Sequence, residues 1–252
     1  MKHTLSLLLV IAVSLHAARA GVFDFLKSTT TNATTGNSPA LAGFSQNQVA
    51  DALKQALGKG VTSAVTNLGQ ADGFLKNPKV KIPMPDKLQA VEKSLRAIKQ
   101  DKYADEFVAT MNHAAETAVP EALPIFTDAL KSMSIEDAKK LVSGGNDSAT
   151  QFFKTKGEKQ ILDKMSPIVK QATAKAGVTA SYKKLMDQSG GATSFLGKLN
   201  VDTASLDVDK YVTQKASDGL FKMIAEEEKR IRENPAARTT DLLKKVFAAA
   251  AK

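Results

Sequence analysis

From Ser45 to Phe247 the apolar residues return every three or four positions, broken by Pro and Gly, and no stretch sustains a two-residue alternation. The longest unbroken pattern lies near the end. There Val212, Ala216, Leu220, Met223, Ile224 and Ile231 share one helical face. At roughly 100° per residue, Leu220, Ile224 and Ile231 occupy a narrow sector, and Glu227 falls between them. Glu226 and Glu228 fall on its flanks or beyond. An ionised carboxylate on a buried stripe is costly unless it is paired. Glu227 therefore reads either as a tuned carboxylate in a pocket or as half of a structural ion pair with Arg238 or Lys245. Arg230 and Arg232 are placed on the solvated face, four residues after Glu226 and Glu228. Asn234-Pro235 stops the helix, and Thr239 or Thr240 caps a last one bearing Leu242, Leu243, Val246 and Phe247. Residues 248–252 form a frayed tail.

The rest of the pattern predicts a chain of mostly short helices. Ser45 and Gln48 form a capping box before a helix with Val49, Leu53, Ala56, Leu57, Val61, Ala64, Val65 and Leu68 on one face. Gly58 and Gly60 weaken it slightly and permit close contact. Lys79 to Ile82 alternates like a short strand, yet so few extended residues cannot make a sheet, so the expectation is an ordered loop. Asp86 is expected to cap a helix with Leu88, Val91, Leu95 and Ile98 inward. The next buries Tyr103, Phe107, Val108, Met111, Ala114, Ala115 and Ala118, and Pro120 divides it from one with Leu123, Ile125, Phe126, Ala129, Leu130 and Met133. Ser134 caps a short helix closed by Gly144-Gly145. Asn146 or Asp147 caps another with Phe152 and Phe153, and Gly157 separates it from a helix over Ile161 to Ala172. A shorter helix carries Tyr182, Leu185 and Met186 before a polar loop over 189–208. The prediction is an all-α compact bundle of roughly nine or ten mostly short amphipathic helices with no substantial sheet. It occupies residues 45–247 as one domain. Two loops, near Ile82 and from Ser189, are the expected functional surfaces.

The first twenty residues change the picture of where the chain works. Lys2, an apolar run from Leu5 to Leu15, and Ala18-Arg19-Ala20 read as a secretory signal peptide of bacterial type, cleaved after Ala20. The run is too short to span a membrane, and no cysteine follows it for a lipid anchor. The expectation is a periplasmic protein. Residues 21–44 hold an apolar cluster (Val22, Phe23, Phe25, Leu26) that docks on the body or on a membrane, then a Thr/Ser/Asn-rich linker. Without cysteine the exported chain must rely on its core, for which about 230 residues suffice. Lys2 and Arg19 carry two of the nine net positive charges, leaving +7 on the mature chain. Spread as lysine along helices, this supports a weak attraction to anionic surfaces and no nucleic-acid partner.

Candidate chemistry is sparse. Of three histidines, His113 alone follows the signal peptide, and it points away from the apolar stripe as a surface residue. A histidine-based nucleophilic site has no visible partner group, and a multi-histidine metal site is excluded. Asp202, Asp207 and Asp209 lack calcium-loop spacing, and Asp207 or Asp209 serves better as a helix cap. No Gly-rich phosphate cradle occurs, so no cofactor or metal is expected. An enzyme would have to rest on carboxylates: a cell-wall glycan hydrolase with Glu227 as acid is the alternative reading. The chain has no tryptophan and three tyrosines, few for a sugar cleft. The preferred reading is a non-enzymatic binding or interaction module, whose partner is an apolar small molecule or an envelope protein.

Several motifs together resemble a known family. They are Asp72-Gly73-Phe74-Leu75, Asn77-Pro78, Ile82-Pro83, Met111-Asn112 with Ala114-Ala115-Glu116, and Ala118 to Ala122. Ser134 to Ala138, Gly144-Gly145 with Ala149-Thr150, and Pro167 to Lys170 follow. The closing set is Tyr211-Val212-Thr213, Asp218 to Phe221, Ile224 to Glu228, Ile231-Arg232, Asn234-Pro235 and Ala237 to Thr240. In these the chain, from about Ser45 to Phe247, resembles the exported proteobacterial domain-of-unknown-function family number 4197. The resemblance implies an exported, helical, single-domain protein and transfers no activity. Within the matched stretches Asn112, Glu116, Glu226, Glu227, Arg238 and Thr239 have no obvious packing role and form the candidate polar cluster.

Overall fold

The computed structural model describes residues 45–175, 184, 207–234 and 244. The chain divides into Met1–Asn37 and Ser38–Lys252, and every described residue belongs to the second unit. The expected signal peptide, the apolar segment 21–27, the expected helix bearing Tyr182, the expected loop from Ser189, and the candidates Arg238 and Thr239 lie outside the described residues.

The described residues form helices and turns without strands, as an all-α chain should. The helices are α1 (Gln46–Gly69), α2 (Gln89–Ala97), α3 (Asp101–Ala118), α4 (Leu123–Ser132), α5 (Ile135–Ser143), α6 (Ser148–Lys175) and α7 (Val208–Glu233). Short 3₁₀ turns cover Asp86–Leu88 and Val119–Ala122. Among the described residues the expected count of nine or ten is not matched. α6 shows one reason. It runs 28 residues through Gly157 and Pro167, where two helices were expected. A Cβ on Gly157 would come 3.0 Å from Ile125 Cγ2, so this glycine lets α4 approach rather than breaking the helix. Pro167 sits on the exposed side, where the carbonyl it leaves unbonded can be hydrated.

Helix starts follow the local chemistry. Ser45 with Gln48 and Ser134 with Asp137 each form a reciprocal capping box. The hydroxyl and amide of Ser134 hold the Asp137 carboxyl below its usual range. Asp207 caps α7, its Oδ1 accepting from Lys210 N at 2.9 Å. Asp86 instead accepts from the Gln89 side chain and caps no helix. Ile98, expected inward, is 58% exposed. α2 ends at Ala97, and Lys99 turns the chain at φ 59°, so Ile98 leaves the helical face before its periodicity can bury it.

α7 is the central element and packs most extensively against α6 and α1. Phe126, Phe153 and Phe221 meet edge to face, with centroids 5.2 Å and 5.9 Å from Phe126, and join α4, α6 and α7. The segment 70–85 completes the core. Val80, Ile82 and Met84 are buried while Lys79, Lys81 and Pro83 face out, the alternation of a strand with no strand beside it among the described residues. Phe74 is fully buried against Gly219 of α7, where a Cβ would stand 2.8 Å from its ring. Among the described residues no helix is long and apolar enough to cross a membrane.

Two predictions follow from this packing. A Cβ on Gly73 would come 2.4 Å from Asn67 O and 2.6 Å from Leu68 O, both backbone atoms. Gly73→Ala should therefore lower stability by roughly 1–3 kcal/mol in urea unfolding. Tyr211 donates to Pro83 O at 3.1 Å, and burial, then the charge of Asp86, pushes its phenol above the usual value. The neutral form is favoured by folding, so this stability is complete below about pH 10 and lost as pH rises through the folded pKa. Tyr211→Phe should flatten the alkaline limb of the stability-against-pH curve.

Candidate functional site

Asn112 and Glu116 stand one turn apart on α3 and face the segment 72–82. Asn112 is fully buried. Its Oδ1 accepts from Ile82 N at 2.8 Å, and its Nδ2 donates to Ile82 O at 2.9 Å and Val108 O at 2.7 Å. The amide thus replaces the missing neighbouring strand for one residue. Glu116 is 5% exposed. Its Oε1 accepts from Phe74 N at 3.0 Å and Leu75 N at 3.1 Å; its Oε2 accepts from Asp72 N at 3.2 Å. Asp72 adopts φ 64°, and this left-handed residue turns the amides towards the carboxylate. His113, exposed as expected, places Nδ1 2.8 Å from Glu116 Oε2. A carboxylate offers about four acceptor positions, and protein groups occupy those of Glu116.

The glutamate run on α7 departs from its expected register. Glu228 is the buried member at 3% exposure, and Glu227 is half-buried. The expected stripe left out Ser217 and Phe221. With them one line of buried positions runs Ser217, Phe221, Ile224, Glu228, Ile231 beside buried Leu220, spaced four, three, four and three. Phe221 draws the buried sector round towards α6, and the N-terminus of α6 meets Glu228 there. Glu228 Oε1 accepts from Ala149 N at 2.9 Å, and Oε2 from Thr150 N and Oγ1, each at 2.8 Å. A carboxylate from a distant helix thus caps α6, where Asn146 or Asp147 was expected.

Arg232 was expected in solvent. It is instead mostly buried, donating to Glu228 Oε1 through Nε at 3.0 Å and Nη2 at 2.8 Å, and to Leu141 O at 2.8 Å. The i,i+4 spacing was the sequence signal for this pair; which side of the helix it occupied was not. Glu227 pairs with Arg230 of its own helix, at 3.0 Å from Nε; Arg238 and Lys245, its expected partners, lie outside the described residues. Ser63 Oγ stands 3.5 Å from Glu227 Oε1. The hollow beneath Glu227 and Glu228 measures about 10 Å³, close to the lower limit for one water. Glu226 pairs with Lys79, and Lys222 donates to Lys79 O at 2.8 Å, so α7 grips the same segment that α3 holds.

The described candidates, joined by Glu228, which was not among them, therefore divide into two clusters. Asn112 and Glu116, with Glu226 beyond the loop, secure residues 72–82; Glu227 and Glu228 join α7 to α1 and α6. Asp209, considered for calcium, accepts from Thr173 Oγ1 at 2.6 Å. A different feature is concave: a groove of about 280 Å³ between α1 and α4. Val61, Gly58, Leu123 and Leu130 form its apolar floor, with Thr62, Thr127, Lys54 and Lys131 at the edges. The glycine was visible in sequence as a point of close contact, but only the pairing of α1 with α4 makes a groove of it.

Removing one partner of a buried charge pair leaves the other uncompensated. Glu228→Gln should cost about 3–5 kcal/mol, and Glu228→Gln with Arg232→Met less than the sum of the singles, in a double-mutant cycle by urea unfolding. Asn112→Ala should cost roughly 1–3 kcal/mol for each Ile82 group left unsatisfied, with protection of the Ile82 amide lost in hydrogen exchange.

No curated protein and no solved structure matches the chain. Its own motifs do meet in space: Asp72 to Leu75 on Glu116, Ile82 on Asn112, Gly219 on Phe74, Ala149-Thr150 on Glu228. Residues 43–248 match one family, described as "Protein of unknown function (DUF4197)", and the chain belongs to it.

Proposed function

We propose that this protein is an exported, non-enzymatic binding or interaction module of the bacterial cell envelope. It receives an apolar group, of a small ligand or of a protein partner, in the groove between α1 and α4. The observation that carries this reading is how the polar residues are used. Asn112, Glu116 and Glu228 spend their hydrogen-bonding capacity on backbone amides and Arg232, which suits architecture and leaves them no group to offer a substrate. The groove, by contrast, presents apolar side chains beside solvent. Export rests on the signal-peptide pattern of residues 1–20.

The rival reading, a glycan hydrolase with Glu227 as acid, needs a substrate cleft at that carboxylate. Glu227 lies against Arg230 over a hollow of about 10 Å³, which gives that reading no support. The proposal expects Glu227→Gln to leave cell-wall turnover unchanged, as followed by release of labelled muropeptides.

Two measurements test the proposal. Terminal sequencing of the periplasmic fraction should begin at Gly21; a chain retained in the cytosol with Met1 attached would sink the export assignment. Native mass spectrometry of protein released without detergent should show a bound molecule or partner that Gly58→Leu removes. An adduct indifferent to that substitution would rule the groove out.

A further inference from the structure

We infer that the α1–α4 groove takes a single-chain anionic amphiphile, a fatty acid in its carboxylate form, with the head held by Lys54 and Lys131. The inference rests on the binding-module reading and adds the class of ligand. The two helices run antiparallel. A Cβ on Gly58 would stand 3.5 Å from Leu130 Cδ1, while one on Gly69 would meet Pro120, just before α4 begins. Lys54 lies one turn before Gly58, and Lys131 follows Leu130, so both lysines mark the same end of the groove. Away from that end lie Val61 and Leu123. Charge at one end and apolar surface along the rest match a head and a tail.

Both cations can receive an anion. Lys54 is half-buried and has no ion-pair acceptor among the described residues. Its methylenes can lie along the apolar wall with the ammonium at the rim. Lys131 stands 3.4 Å from Asp128, with both side chains about three-quarters exposed (74% and 76%), a contact weak enough to yield. The last carbonyls of α4 lie at this end too and oppose an anion, so the two lysines must act together. A cationic amphiphile would be repelled here, and a neutral one would leave both lysines unused. The volume of about 280 Å³ lies just under the usual range for ligand clefts, roughly 300–1,000 Å³, and favours one chain over two.

The test is calorimetric titration of the mature chain with dodecanoate and with dodecanol, both below the concentration at which they aggregate. Dodecanoate should bind one to one and more tightly than dodecanol. Lys54→Gln with Lys131→Gln should weaken dodecanoate about tenfold, the effect of two solvent-screened pairs, and leave dodecanol unchanged. Gly58→Leu, which fills the floor, should abolish both without changing the melting temperature by more than a few degrees. Equal affinity for the two ligands, indifference to the lysine pair, or no binding of either overturns the inference. If dodecanoate fails while Gly58→Leu still removes a molecule or a peptide partner in native mass spectrometry, the fatty-acid assignment falls and the binding-module reading stands.

Discussion

Irregular backbone can be buried among helices only if its N–H and C=O groups find partners. This constraint governs the molecule. The segment 70–85 crosses the core without helix or sheet, and the first amides of α6 are buried where no local side chain caps them. Three side chains resolve these conflicts: Glu116 collects the amides of the turn at Asp72, Asn112 pairs with Ile82 in both directions, and Glu228 caps α6. Once these bonds are in place, Phe74, Val80, Ile82 and Met84 can enter the core, and α6 can butt against α7.

This use of polar residues bears on function. Buried carboxylates attract catalytic readings because they are expensive. Here the expense is met by donors that are themselves buried backbone amides, and both partners gain. Arg232 adds a tie between the end of α5 and Glu228, so one network joins α5, α6 and α7. Glu226 and Lys222 apply the same logic at the surface, clamping Lys79 from the other side. The proposed recognition surface lies elsewhere, in the groove where α1 meets α4 at Gly58.

The sequence was read most accurately where the cause is local. Ser45, Ser134 and Asp207 announce helix starts because a cap bonds residues two or three positions on. The alternation from Lys79 to Ile82 was also visible, though nothing nearby says what Val80 and Ile82 pack against. Errors arose where a neighbour decides. Ile98 fits the periodicity of α2, but Lys99 turns the chain first. Gly157 resembles a break until Ile125 is seen against it.

The chain by itself determined the all-α class, the main apolar faces and most helix caps, because 3.6-residue periodicity and side-chain-to-backbone bonds act within a few residues. It also supplied the polar residues that matter, Asn112 and Glu116 among them, as groups without a packing role. Tertiary structure decided what those groups do. Whether Glu227 or Glu228 is buried turns on Phe221 and the approach of α6, a difference of one residue that periodicity cannot fix when a helix touches several neighbours. The groove has the same origin, since its floor joins Gly58 to Leu130, 72 positions apart in sequence, and only the packed bundle brings them together.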